Sequence, residues 1–64
     1  MGYRVKDVRE EMRMTQEELA EKSGVSRATI IAIERDETKD VKASTLLKLA
    51  QALGTTVDKL FLLA

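Results

Sequence analysis

Arg27, Ala28 and Thr29 stand in a row at the start of an apolar-periodic segment, and their types suit the edge of a base pair. A guanidinium donates two parallel hydrogen bonds to O6 and N7 of guanine, and a methyl such as that of Ala28 suits the methyl of thymine. Ala32 lies one helical turn on, on the same face as Ala28. Thr29 can reach a base edge or a phosphate. Arg27 also sits at a helix start, where the dipole disfavours a cation; the mismatch fits an anion arriving from outside. The plainer alternative is an exposed, solvated arginine. Gln16 opens another helix, where a side-chain amide can hold a phosphate with help from the positive helix end. It can equally face water, and residue type leaves both readings open. Arg35 and Lys39 add cations downstream, and Thr15 and Ser26 place hydroxyls at two helix starts. The chemistry on offer is hydrogen bonding and charge, directed at double-stranded nucleic acid.

Reaction chemistry has little to work with. The chain has no His and no Cys, so no credible nucleophile–base pair and no thiolate or imidazole metal site arises. Glu34, Asp36, Glu37 and Asp40 cluster in sequence but lack the alternating ligands and central glycine of a calcium loop. No enzyme activity, no cofactor, no metal and no small-molecule ligand is expected. The 64 residues make one small domain spanning 1–64. No apolar run is long enough for a bilayer, and no signal-peptide pattern opens the chain, so a cytoplasmic protein is the expectation. Net charge is zero, which opposes nucleic-acid binding, because binders usually carry a basic excess. The distribution leans the right way, weakly: residues 1–21 carry four basic and six acidic groups, residues 22–42 five and four.

The elements that must position these side chains read as helical throughout. Val5, Val8 and Met12 mark a first helix over about Arg4 to Met12. Thr15 with Glu18 makes a capping-box signature for the second helix. Gly24 can end that helix with a positive φ, and Ser26 caps the third, which runs to about Arg35. Small Ala20 lets the second and third helices cross closely, and Val25, Ile30 and Ile33 fill the wedge between them. Ile31 falls off that buried face, either touching a thymine methyl or sugar or packing on a neighbour. Leu46, Leu49, Ala50 and Leu53 share one face of a fourth helix near Ala43 to Leu53, which Gly54 ends; its start is open between Ser44, the best cap by type, and a chain already in line at Lys42. Thr56 starts a short last helix containing Val57, Leu60 and Phe61. The fold class is all-α. Residues 16–33 read as a helix-turn-helix, commonly a device for laying its second helix in the major groove.

Nearly the whole chain, about Val5 to Phe61, resembles the Cro and phage-repressor (XRE) family. The resemblance rests on Val8-Arg9, Met14 to Ala20, Gly24 to Ile30, Ile33-Glu34-Arg35, Thr45 to Ala50, Ala52-Leu53-Gly54 and Asp58-Lys59-Leu60. It implies a compact five-helix, lambda-repressor-like domain whose third helix reads the major groove. It favours a phosphate contact for Gln16, and it implies an ion pair between Arg9 and Glu34 that ties the recognition helix to the scaffold. It also implies transcriptional regulation, expected here as repression, and a symmetric dimer on a near-palindromic operator. Phe61, Leu62 and Leu63 make an apolar end that is either a frayed, greasy terminus or the dimer seam, since exposed apolar surface commonly marks association.

Departures from the family pattern fall at helix exits and loops. Arg13 and Asp36 stand where the family commonly has Gly, which forces a left-handed conformation on side chains that resist it, Arg more than Asp. Ser23 replaces a residue often apolar, and Lys59 replaces the acid that would complete a capping box with Thr56. The acidic loop after the third helix leaves a rival function: a protein-interaction or antitoxin-like module that keeps the fold with weak or no DNA reading.

Overall fold

The computed structural model describes residues 2–37 and 41–62. Four α-helices follow one another: α1 (Val5–Glu11), α2 (Gln16–Ser23), α3 (Arg27–Glu34) and α4 (Ala43–Leu53). A single 3-10 turn, Val57–Leu60, takes the place of the expected fifth helix. The chain then extends: β2 (Phe61–Leu62) pairs antiparallel with β1 (Gly2–Tyr3), Tyr3 opposite Phe61. The helical fold class stands, with four α-helices and one 3-10 turn for the expected five helices. Thr56 gives the 3-10 turn no side-chain cap, in keeping with Lys59 where an acid would reciprocate. The Arg4 N–H donates to the Leu60 carbonyl at 2.7 Å, and the Tyr3 and Phe61 rings lie 5.6 Å apart. These contacts clasp the two ends of the described chain.

Helix exits explain how so short a chain turns so sharply. Arg13, Asp36 and Gly54 carry φ of 55°, 58° and 68°. After each, two backbone bonds close the same left-handed exit. Behind α1, Met14 N–H donates to Arg9 O at 3.1 Å and Arg13 N–H to Glu10 O at 3.0 Å. Behind α3, Glu37 and Asp36 donate to Ala32 and Ile33; behind α4, Thr55 and Gly54 donate to Ala50 and Gln51. The strain expected at Arg13 and Asp36 is therefore present in the backbone. Arg13→Gly should raise stability by about 0.5–1 kcal/mol, the left-handed penalty less the added freedom of the unfolded chain. Urea unfolding checks it; an unchanged or lower midpoint counts against the strain.

The core gathers Val5, Val8, Met14, Leu19, Val25, Ile30, Ile33, Leu49, Ala50, Leu53 and Leu60 in one cluster. All four expected residues of the α4 face are buried. One core expectation is corrected. Met12 is 53% exposed, and Met14 is buried instead. Helix α1 stops at Glu11, and the reversal at Arg13 swings Met14 back into the same core cluster as Val8. Ser44 is likewise not the cap of α4: Lys42 holds the cap position, and no side chain caps that end.

Candidate nucleic-acid interface

The start of α2 is built by a complete capping box. Thr15 Oγ1 accepts from the Glu18 N–H at 3.0 Å, and Glu18 Oε1 accepts from the Thr15 N–H at 3.0 Å. Those bonds hold the Glu18 carboxyl below its ordinary range, chiefly through the Thr15 backbone. Gly24 ends α2 at φ 75°, its N–H donating to Ala20 O at 3.0 Å. A Cβ at Gly24 would meet nothing within 4 Å, so the position calls for glycine through its backbone angle. The turn also uses a residue whose role the sequence did not show. Ser23 Oγ accepts the Val25 N–H at 3.1 Å, satisfying a donor that the turn would otherwise leave bare. This is a physical reason for a serine where an apolar residue is usual.

Ser26 caps α3, its Oγ accepting from the Thr29 N–H at 3.2 Å and donating to Thr29 Oγ1 at 2.8 Å. The cap leaves Arg27, Ala28 and Thr29 exposed on the first turn. Ile30 and Ile33 are buried beneath. Ala28, Ala32 and Arg35, spaced by four and three, share the opposite face of the helix; Ala32 is half-buried and Arg35 exposed. Ile31 is half-buried. The eight residues of α3 span about 12 Å, with Arg27 and Thr29 at one end and Arg35 just past the other. Lys39 and Leu63 lie outside the described residues, as does the side chain of Leu62. Phe61 is half-buried, its ring tilted against that of Tyr3, so part of its apolar surface is already covered within the chain. Asp36 and Glu37 are exposed immediately after α3.

The Arg9–Glu34 pair is present and tight. Arg9 Nε donates to Glu34 Oε2 at 2.7 Å, and Nη2 donates to Oε1 at 3.1 Å. The third guanidinium nitrogen, Nη1, donates to the Met14 carbonyl at 2.8 Å. Only 12% of the Arg9 side chain and 4% of the Glu34 side chain meet solvent. Burial by itself pushes the Glu34 carboxyl up. The hydrogen bonds from Arg9 and Gln16, with the Arg9 and Lys6 charges, outweigh it and hold the group below its ordinary value. Arg9 is correspondingly held above its ordinary value, first by its bond to Glu34.

Gln16 has a partner that its residue type did not reveal. Its Nε2 donates to Glu34 Oε1 at 3.0 Å, and the residue is half-buried. The structure thus joins the start of α2, the end of α3 and the last turn of α1 through one carboxylate. Gln16 and Arg35 come to the same end of α3. Among the described residues no group of His, Cys, Asp or Glu is placed to hold a metal ion, and no helix is long and apolar enough to cross a membrane.

Comparison with known proteins agrees with this geometry. A family model described as Helix-turn-helix matches residues 5–60. The chain is 43% identical over 58 residues to an immunity repressor protein of Bacillus phage phi105, a match covering 91% of this chain and 40% of the repressor. It is 46% identical over 60 residues to the control protein C.SmaI of Serratia marcescens, covering 94% of this chain and 70% of that protein. It is 43% identical over 49 residues to an uncharacterized HTH-type transcriptional regulator of Methanocaldococcus jannaschii, covering 77% and 73%. The chain therefore spans two fifths of the phage repressor's length and most of the other two. With its capped α2, its left-handed glycine turn and its exposed first turn of α3, this chain belongs to the Cro and phage-repressor (XRE-type) helix-turn-helix family.

Proposed function

We propose that the chain is a sequence-specific, double-stranded-DNA-binding regulator of transcription that acts as a repressor, with α3 in the major groove. The observation that carries this reading is the exposed triplet Arg27, Ala28 and Thr29 on the first turn of a helix whose other face is locked into the core. The similarity to a phage immunity repressor and to an HTH-type transcriptional regulator supports it. In this reading Arg27 donates to a guanine edge, Ala28 and Ala32 meet thymine methyls, and Thr29 donates to a base or a phosphate. Thr15, Gln16, Ser26, Arg35 and Lys39 hold phosphates, which fix register without carrying sequence information. The protein is not an enzyme and needs no cofactor, and DNA reading of this kind implies a cytoplasmic protein. It works as a homodimer joined at the apolar end formed by Phe61, Leu62 and Leu63. A two-fold pair sets its recognition helices about 34 Å apart, one turn of DNA, so the operator is a near-palindrome.

Arg27→Ala tests the assignment. It should relax the preference at one base pair of each half-site and weaken specific binding by about 1–3 kcal/mol. Gln16→Ala should weaken binding to all sequences alike. A binding-site matrix left unchanged by Arg27→Ala would contradict base reading by that residue.

A further inference from the structure

We infer that Ile31 joins Ala28 and Ala32 in an apolar strip that reads the 5-methyl group of pyrimidines as such, so that 5-methylcytosine stands in for thymine in the half-site. The inference rests on the DNA-binding reading above and deepens it, because it concerns which bases α3 distinguishes.

The strip follows from how α3 is buried. Ile30 and Ile33 face the core and are 0% and 1% exposed. At about 100° per residue, Ala28 stands almost opposite the middle of that pair. On the same reckoning Ile31 lies about 60° to one side of Ala28 and Ala32 about 40° to the other. Arg27 and Thr29 fall at the two edges. Ala28 is exposed, and Ile31 and Ala32 are half-buried, so all three keep surface to offer. Among the described residues, Ile31 and Ala32 belong neither to the core cluster nor to the partly buried side chains packed against it. Ile31 therefore has no core role that would explain a large β-branched side chain on this face.

None of the three side chains carries a hydrogen-bonding group. In the major groove thymine shows O4 where cytosine shows an N4 amino group, and thymine adds a methyl at C5. 5-Methylcytosine keeps the amino group and has the same methyl. Telling these two bases apart takes a polar group, such as a carboxylate that accepts from N4. The strip has none, so it senses only whether a methyl is present. From Ala28 to Ala32 it runs about 6 Å along the helix, close to two base steps of about 3.4 Å. Ile31 is stiff at χ1, so it loses little freedom when it meets a methyl. A site with cytosine at these positions would gain affinity when that cytosine is methylated at C5.

The test keeps the native protein and changes the DNA. At each thymine of the half-site in a selected duplex, thymine, uracil, cytosine and 5-methylcytosine are compared at fixed salt, each opposite its matched purine. Uracil for thymine removes only the methyl. It is expected to weaken binding about fourfold at about two or three neighbouring positions, the worth of one buried CH₂ group. At the same positions 5-methylcytosine is expected to bind about fourfold tighter than cytosine and within about twofold of thymine. Ile31→Ala should bring the uracil penalty at one of these positions below about twofold and leave the others, whereas Ile31→Val should keep it. Thermal melting establishes that both variants are folded; a purely structural Ile31 would change melting without changing the uracil penalty.

Uracil bound as tightly as thymine at every position overturns the inference, as does 5-methylcytosine bound no tighter than cytosine. A selected half-site without thymine overturns it too. A uracil penalty that folded Ile31→Ala leaves unchanged everywhere overturns the role of Ile31. All four results leave DNA binding intact. A native chain that binds no duplex at low salt overturns the DNA-binding reading, and the inference with it.

Discussion

Glu34→Leu alone should remove a large share of the chain's stability, whereas Arg9→Met combined with Glu34→Leu should fold about as well as the native protein. The single change strands Arg9, of whose side chain 12% meets solvent, removes its two carboxylate bonds and takes the partner from Gln16. Breaking one side of a buried pair costs about 3–5 kcal/mol. At about 0.05–0.15 kcal/mol per residue, a chain of this length has only about 3–10 kcal/mol in total. The double change removes both charges together, and well-packed apolar replacements of a buried pair are often neutral. Urea unfolding of the three proteins checks this; a double variant as unstable as the single one contradicts it.

The pH dependence of the same pair has a definite sign. Glu34 is held below its ordinary value of 4.5, so its contribution is present above that value and is lost as pH falls through the lower folded value. The double variant should lack that part of the acid loss.

Ile30→Ala should cost about 2–5 kcal/mol, the range for truncating a large buried aliphatic side chain. Ile30 has no exposed surface, and it lies on the face of α3 opposite the proposed reading surface. The cavity would loosen the seat of the recognition helix, so binding should weaken even where the folded fraction is corrected for. A loss below about 1 kcal/mol by denaturant unfolding would mean that the site collapses freely around the missing atoms.

What could be read from sequence was mostly local. The Thr15 and Ser26 caps, the left-handed Gly24 and Gly54, and the strained exits at Arg13 and Asp36 each depend on a few consecutive residues, and all are present. The buried face of α4 follows from spacing alone. The misses arise where distant contacts decide. Met12 fits helical spacing, but the helix ends one residue earlier and the turn delivers Met14. Phe61 follows a helical pattern too, yet pairing with Tyr3, at the opposite end of the chain, draws it into extended backbone. Residue type shows that Gln16 could donate to an anion. That the nearest acceptor is Glu34, 18 positions on, depends on how α2 crosses α3. Ser23 shows the converse: its bond is two residues long, and the hydroxyl itself is the signal that could have found it.

Selection from randomised duplex DNA, followed by a salt titration on the enriched sequence, tests the central claim most directly. The expected result is a near-palindromic site with half-sites one helical turn apart. Affinity should fall as salt rises, with a shallow slope, because the net charge is zero and few cations face the phosphates. No enrichment at low salt, or binding indifferent to salt, would contradict the reading of this helix-turn-helix as a DNA-binding regulator.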